Sequence, residues 1–470
     1  EILKNFNNIS WYDSINELHK PENIGKYKND FYQRLAFDEI FSTYLVHSEI
    51  RKKIKRIKKK RKNLNIQNQE KFISSLEFKL TKDQIKTLKI INQDLASSQK
   101  MFRLLQGDVG SGKTIVALIA ALNVVNSGFQ VAFMAPTEIL ARQHFLLAKR
   151  LFKPSIRINL LSSKSEYKEK KEILKNLTNR KIDVIFGTHS IFQKKVEFNN
   201  LGLIIIDEQH KFGVNQRKKL SDKGGSNCDV LLMSATPIPR TLTMTIYGDM
   251  DLSIIKEKPK SRKEVKTYTK LESKINDIIK FVQKEIKNGN QIFWVCPLIE
   301  ESKKIDHSSA IMKFNFLEKI FPKKVALLHG KTDSIKKDII LNNFLDRKFD
   351  ILVSTTIIEV GIDFPNANVI IIENANKFGL SQLHQLRGRV GRGNKESSCV
   401  LMFKSSLTEN AKKRLNILKK LNDGFEISEE DMKLRGYGDI LGFKQSSLKI
   451  FKLADPVLNQ NLFHLAELEI

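Results

Sequence analysis

Acidic residues are scarce in this chain beside basic ones, and that imbalance is the first constraint on its partners. Of 470 residues, 52 are Asp or Glu and 81 are Lys or Arg, a formal net charge of +29. Such an excess is the electrostatic footprint of a nucleic-acid partner. A Lys-, Asn- and Ile-heavy composition would raise the same number with no partner at all, and both contributions stand. Cysteine is scarcer still. Cys228, Cys296 and Cys399 lie far apart with no C-x-x-C spacing, so neither a zinc site nor a disulfide framework is indicated. That usage fits a reducing cytoplasm. No run of about 18 apolar residues occurs, which excludes a helical membrane span. The first residue is Glu1 rather than Met and no signal peptide follows, so the chain reads as a piece of a longer protein.

Against these absences stands one strong presence. Gly107-Asp108-Val109-Gly110-Ser111-Gly112-Lys113-Thr114 fits G-x-x-x-x-G-K-[ST], a loop whose backbone N–H groups close around phosphate oxygens. Phe102 to Leu105 before it reads as a buried strand, and Thr114 to Val125 after it as a buried helix, so the loop opens a helix N-terminus. In that setting, the loop of ATP- and GTP-driven enzymes, Lys113 can reach the β/γ-phosphates of the nucleotide, and the Thr114 hydroxyl can ligate Mg²⁺.

The chain around the loop alternates between strand and helix. Strands are expected at Phe102–Leu105, Val131–Met134, Ile158–Leu161, Val184–Phe186, Leu203–Ile206 and Leu231–Met233. A second series is expected at Val265–Thr269, Ile292–Cys296, Val325–Leu328, Ile351–Val353, Val369–Ile372 and Cys399–Phe403, with no phosphate loop of its own. This is an α/β pattern of parallel sheets covered by helices. Lys256 to Lys263, polar and containing Pro259, reads as an interdomain linker. Phe31 to Ile57 reads as a helix. It runs into the basic segment Arg51 to Lys62, which is either a solvated face or a stretch lying along a phosphate backbone. Asn63 to Gln69 reads as a linker.

Two further motifs have chemistry in them. Ile204-Ile205-Ile206-Asp207-Glu208-Gln209-His210 ends an apolar strand in two carboxylates, and the carboxyl edge of a parallel sheet is where ligands bind. Asp207 can hold Mg²⁺ through water, and Glu208 can orient or deprotonate the water that attacks the γ-phosphate. In the second half, Gln385-Leu386-Arg387-Gly388-Arg389-Val390-Gly391-Arg392 fits Q-x-x-G-R-x-G-R. Arg389 and Arg392 are spaced to point at a γ-phosphate held by the other domain, with Gln385 beside them as a further catalytic candidate. A nucleotide bound by one domain and completed by another is a motor design, opening and closing with nucleotide state.

With these pieces assembled, the chain resembles a superfamily-2 helicase, and within it the RecG family of ATP-dependent DNA helicases, from about Phe31 onward. Phe78 to Gln84 resembles the segment whose glutamine, here Gln84, contacts adenine. Ala135 to His144 resembles motif Ia, which implies nucleic-acid contacts at Pro136 and Thr137. Gly187-Thr188-His189 resembles motif Ib, with the same implication for each residue. Asp207 to Gly213 resembles motif II, and Ser234 to Arg240 motif III. That implies coupling roles for His210, Ser234 and Thr236 and a DNA contact at Arg240. Ser354 to Asp363 resembles motif V, implying DNA contacts at Thr355 and Thr356 and nucleotide contacts at Gly361 and Asp363. Asp431 to Asp439 followed by Leu441 to Ser446 resembles the translocation segment shared with the transcription-repair coupling factor, implying duplex contacts at Arg435 and Gln445.

The resemblance implies two tandem RecA-like parallel-sheet domains with a helical N-terminal connector and a small C-terminal helical translocation segment. The expected bounds are a connector and basic linker at 1–64, an ATP-binding domain at 65–257, a helicase C-terminal domain at 258–410 and a translocation segment at 411–470. It also implies a bacterial, nucleoid-associated cytoplasmic monomer. Its cofactors would be ATP and Mg²⁺, and its partners branched or duplex DNA and single-stranded-DNA-binding protein. Ser447 and Tyr437 depart from the family pattern, and the N-terminal wedge domain of the family is not among these residues. A coupling-factor-type translocase, a DEAD-box RNA helicase and a non-catalytic nucleic-acid scaffold are the alternatives. Gln209 speaks against the first, Gln209 and His210 in place of Ala and Asp against the second, and Lys113, Asp207, Glu208, Arg389 and Arg392 against the third.

Overall fold

The computed structural model describes residues 6–20, 29–162, 166–208, 225–236, 239–259, 262–297, 305–330, 332–355, 364–391, 393, 395–435 and 451–470. Of residues 240, 241, 305–308, 334 and 435 it describes the backbone alone.

Long apolar runs buried on both faces form parallel strands, because helices then cover both sides of the sheet. β1 (Phe102–Gly107), β2 (Gln130–Met134), β3 (Ile158–Leu161), β4 (Val184–Gly187), β5 (Leu201–Ile206), β6 (Asp229–Ser234) and β7 (Asp251–Ile255) make one sheet in the order β3-β4-β2-β5-β6-β1-β7. β8 (Val265–Leu271), β9 (Gln291–Val295), β10 (Val325–Leu328), β11 (Ile351–Ser354), β12 (Ala367–Ile372) and β13 (Ser397–Phe403) make a second, in the order β10-β11-β9-β12-β13-β8. Neighbours in the second sheet pair in parallel, as do β3-β4-β2-β5-β6-β1 in the first. Each strand expected from the sequence forms. β7 is an addition: Asp251 and Ser253 interrupt its apolar run, and it lies at an edge. Helix Lys113–Asn126 is buried along nearly its whole length, as its mostly aliphatic composition requires.

Both sheets, apart from Asp251 and Leu252 at the start of β7, lie in one compact unit, Lys58–Pro237 with Ser253–Ile427. The other unit joins Glu1–Ile57, Ile238–Leu252 and Ser428–Ile470. It is helical, with Phe37, Ile40 and Tyr44 of helix Asp30–Arg56 packed around Leu242, Phe451 and Phe463. Glu39 fixes the C-terminal segment by accepting from the backbone N–H groups of Leu453 and Ala454 at 2.8 and 2.9 Å. No described helix is long and apolar enough to cross a membrane.

Two sequence expectations need correction. The basic run is not solvated throughout. Lys59 and Lys62 are fully buried at their side chains, each 2.6 Å from Asp229 Oδ2, while Asp229 Oδ1 accepts from the Met101 N–H at 2.7 Å. A charge leaves water only when another charge meets it, and the partner lies at the start of β6, far away in sequence. The linker reading of Asn63–Gln69 also fails at its end. Helix Ile66–Ser74 forms there, and Gln69 Oε1 accepts from Asn92 at 2.7 Å and Asn123 at 2.6 Å.

Asp229→Ala leaves two buried ammonium groups unmatched and should destabilise the fold by about 3–5 kcal/mol. Chemical denaturation checks this, and a variant as stable as the parent would show that Lys59 and Lys62 are held by something else.

Candidate nucleotide site

Three adjacent strands bring the sequence motifs to one edge of the first sheet. β5, β6 and β1 are neighbours, and each ends in a motif: Asp207-Glu208 after β5, Ser234 to Thr236 at the end of β6, and the phosphate loop after β1. β2 and β4 carry Pro136-Thr137 and Gly187-Thr188 to the same edge.

The phosphate loop has the backbone that its glycines allow. Gly112 adopts φ +82°, and a Cβ there would lie 2.2 Å from Gln84 Nε2, so any other residue would be strained and would displace the Gln84 amide. Gln84 closes the capping box of helix Lys82–Ala96 with Thr81, and its amide donates to Ser111 O at 2.8 Å. Lys113 Nζ donates to Gly107 O at 2.8 Å and Asp108 O at 3.0 Å. Ser111 Oγ is buried with no hydrogen-bond partner. A flexible ammonium resting on loop carbonyls and an unsatisfied buried hydroxyl fit a phosphate group. Thr114 follows, half-buried, at the start of its helix.

Asp207 is buried with both oxygens engaged: Oδ1 accepts from the Glu208 N–H at 2.9 Å, and Oδ2 meets His144 Nε2 at 2.8 Å. Burial by itself would raise its pKa; the His144 hydrogen bond and the nearby His144 and Lys113 charges outweigh that and hold it below the ordinary value. The carboxylate is thus kept ionised, as a cation site requires. Glu208 takes the left-handed conformation, φ +52°, an uncommon one for such a side chain that is found at functional turns.

The second sheet reaches this site through helix Leu380–Arg387. Gln385 Nε2 donates to Thr236 Oγ1 at 3.3 Å, and Gln106 Nε2 to Thr236 O at 3.3 Å. His384 Nε2 lies 2.7 Å from Asp108 Oδ1, and Lys258 Nζ 2.7 Å from Asp108 Oδ2. A Cβ on Gly388 would come within 3.0 Å of Val109, so glycine permits the approach. Arg262 donates to Val109 O and, at 3.3 Å, to Gly388 O. Lys258 and Arg262, from the stretch expected as a linker, are therefore a built part of the loop's surroundings. Arg389 is buried.

Arg387 Nη2 stands 3.0 Å from His384 Nδ1. Arginine can only donate, so Nδ1 accepts and the ring proton sits on Nε2, donated to Asp108. Burial lowers the His384 pKa below 6.5, and the Arg387 and Lys258 charges add to this, against the opposing pull of Asp108. For Asp108, burial raises the pKa, but His384 and Lys258 overcome it and hold the carboxyl far below its usual range.

Thr137 caps helix Glu138–Leu151 by accepting from the Leu140 N–H. Pro136 and Thr188 are half-buried, Gly187 is buried and His189 is exposed. Thr355 is buried at the end of β11, its hydroxyl without a hydrogen-bond partner. Arg240 and Arg435 lie on helices Arg240–Tyr247 and Gly424–Arg435, with only their backbones described. His210, Thr356, Gly361, Asp363, Arg392 and Gln445 lie outside the described residues.

A DEAD/DEAH box helicase domain matches residues 81–245, and a helicase conserved C-terminal domain matches residues 273–394. The ATP-dependent DNA helicase RecG of Bacillus subtilis (strain 168) is 45% identical over 462 residues, covering 97% of this chain and 67% of its own length. The chain belongs to the RecG family. The Aquifex aeolicus (strain VF5) RecG is 46% identical, with 95% of this chain and 58% of its own length matched. A solved RecG bound to a three-way DNA junction superposes with a TM-score of 0.78 at 42% identity, covering 93% of this chain and 57% of that one. The chain thus spans between about half and two thirds of the RecG proteins it matches. Yeast Dbp5 bound to RNA and ADP BeF3, 19% identical with a TM-score of 0.57, shares the fold.

Sequence reasoning missed four parts of this RecG site: His144, Lys258, Arg262 and His384. His144 closes the motif Ia segment and His384 adjoins Gln385, but their partners are 63 and 276 residues away.

The His384 arrangement has a pH consequence. Its folded pKa lies below 6.5, so as pH falls through 6.5 the unfolded chain takes up a proton that the folded chain resists. Stability from this group is complete above that value and declines below it. Unfolding measured at about pH 7.5 and about pH 5.5 should show a smaller loss for His384→Gln, which keeps an N–H donor but cannot titrate. Identical losses in both proteins would contradict the neutral-ring assignment.

Proposed function

We propose that this chain is the motor of an ATP-dependent DNA helicase, a double-stranded DNA translocase that remodels branched DNA such as stalled forks and Holliday junctions in recombination and repair. The observation that carries the reading is the meeting of the phosphate loop, Asp207-Glu208 and Gln385 across Thr236 at one sheet edge. Similarity to a RecG bound to a three-way junction supports branched DNA as the substrate class. The reading assigns residues 65–257 to the ATP-binding domain, 258–410 to the helicase C-terminal domain, and the flanks 1–64 and 411–470 to a connector and a translocation segment. The accompanying expectations are a monomer associated with the nucleoid, and single-stranded-DNA-binding protein as a partner.

In this reading Gln84 contacts adenine, and the backbone from Gly107 to Thr114 cradles the phosphates. Lys113 leaves the Gly107 and Asp108 carbonyls for the β/γ-phosphates. Asp207, through water, and Thr114 would hold Mg²⁺, which when bound would supply neutralising charge for the phosphates. Glu208 orients and deprotonates the attacking water, and Arg389 and Arg392 meet the charge of the transition state. Gly361 and Asp363 approach the nucleotide from motif V. Ser234, Thr236 and His210 couple hydrolysis to movement. Pro136, Thr137, Gly187, Thr188, His189, Arg240, Thr355, Thr356, Arg435 and Gln445 contact DNA, chiefly its backbone, so binding depends on salt rather than on base sequence.

ATP hydrolysis measured without DNA, with linear duplex and with a three-way junction tests the proposal. Junction DNA should stimulate most; equal rates in all three would overturn the reading. Glu208→Gln should keep ATP binding and lower turnover by roughly 10²–10⁴-fold, the contribution of a general base. Unaltered turnover would remove Glu208 from that role.

A further inference from the structure

His144 is used by none of these roles, yet it is the side chain placed on the buried carboxylate. Asp207 follows β5, whose neighbour β2 pairs Met134 with Ile206 in register, and Asp207 N–H continues the ladder by donating to Met134 O at 2.9 Å. β2 leads through Pro136-Thr137 into helix Glu138–Leu151, two turns along which His144 turns back to Asp207 Oδ2 at 2.8 Å. Its ring is buried and lies against Phe133 of β2, with ring centroids 4.8 Å apart. The imidazole therefore has little freedom to rotate. With the Glu208 N–H on Oδ1, each oxygen of the carboxylate is held by a donor, which restrains the group from turning.

We propose that His144 is a positioning residue for the metal-binding carboxylate, and that through it the helix opened by Pro136-Thr137 forms part of the nucleotide site. The proposal rests on the reading of Asp207 as the Mg²⁺ ligand. A partner that orients a ligating group typically changes metal affinity by about 10–100-fold when removed. The same helix starts at two candidate DNA contacts. Movement of that helix on DNA binding would then be felt at Asp207 directly, without passing through the second sheet.

The test is binding of Mn²⁺, followed by its EPR signal, to the full chain holding a non-hydrolysable ATP analogue. His144→Phe keeps a ring against Phe133 but loses the donor; His144→Gln keeps an N–H near the position of Nε2. Metal affinity should fall about 10–100-fold in His144→Phe, recover to within a few-fold of the parent in His144→Gln, and leave metal-free analogue binding unchanged. Adding duplex DNA should tighten Mn²⁺ binding in the parent and in His144→Gln, and not in His144→Phe. Parent-like metal affinity in His144→Phe overturns the proposal. So does an equal loss in both variants, which would mark His144 as a packing residue. Asp207→Asn separates the two levels: it should lose Mn²⁺ binding, and if it does not, the metal-site reading itself falls.

Discussion

Asp108 sits inside the phosphate loop with 2% of its surface exposed, and a carboxylate that deep is stable only where donors and cations meet it. Its partners come from three places. Val109 N–H donates from within the loop at 2.6 Å, Lys258 from the stretch between the sheets, and His384 from the helix that carries Gln385 and Arg387. The first sheet's nucleotide loop is thus fastened electrostatically to the second sheet. Arg262 and the close approach of Gly388 to Val109 add backbone contacts on the same face. Rigid tertiary contacts of this kind can be made or broken as units, which is what a closing and opening motor needs.

The rest of the site follows from strand order. In a parallel sheet each strand delivers its carboxyl end to the same edge. Placing β6 between β5 and β1 puts Ser234 and Thr236 between the carboxylates and the phosphate loop. Thr236 is held from both sides, by Gln106 of β1 and by Gln385. That is a physical basis for proposing motif III as a coupling element: it touches the strand that ends in the loop and the helix from the other sheet.

How much of this was legible depended on whether the signal was local. Strands such as Leu201–Ile206 and Ala367–Ile372 are buried throughout and announce themselves as apolar runs. The phosphate loop is a contiguous motif, and its glycine geometry follows from the residues alone. Lys59 and Lys62 misled because a basic run reads as solvated; their partner Asp229 is separated by 170 and 167 residues. Gln69 misled likewise, since an Asn/Gln-rich segment reads as a linker until the amides of Asn92 and Asn123 supply partners. His144 and His384 differ from ordinary core histidines only by what the fold sets beside them.

The central claim is that one nucleotide is shared by both sheets, with the arginines of the second completing a site built on the first. Arg389→Ala tests it most directly, by comparing ATP affinity with the rate of DNA-stimulated hydrolysis in one preparation. ATP affinity should stay close to that of the parent while turnover falls by roughly 10³–10⁵-fold, the contribution of an arginine that meets transition-state charge. Hydrolysis at the parental rate would show that the first sheet works alone.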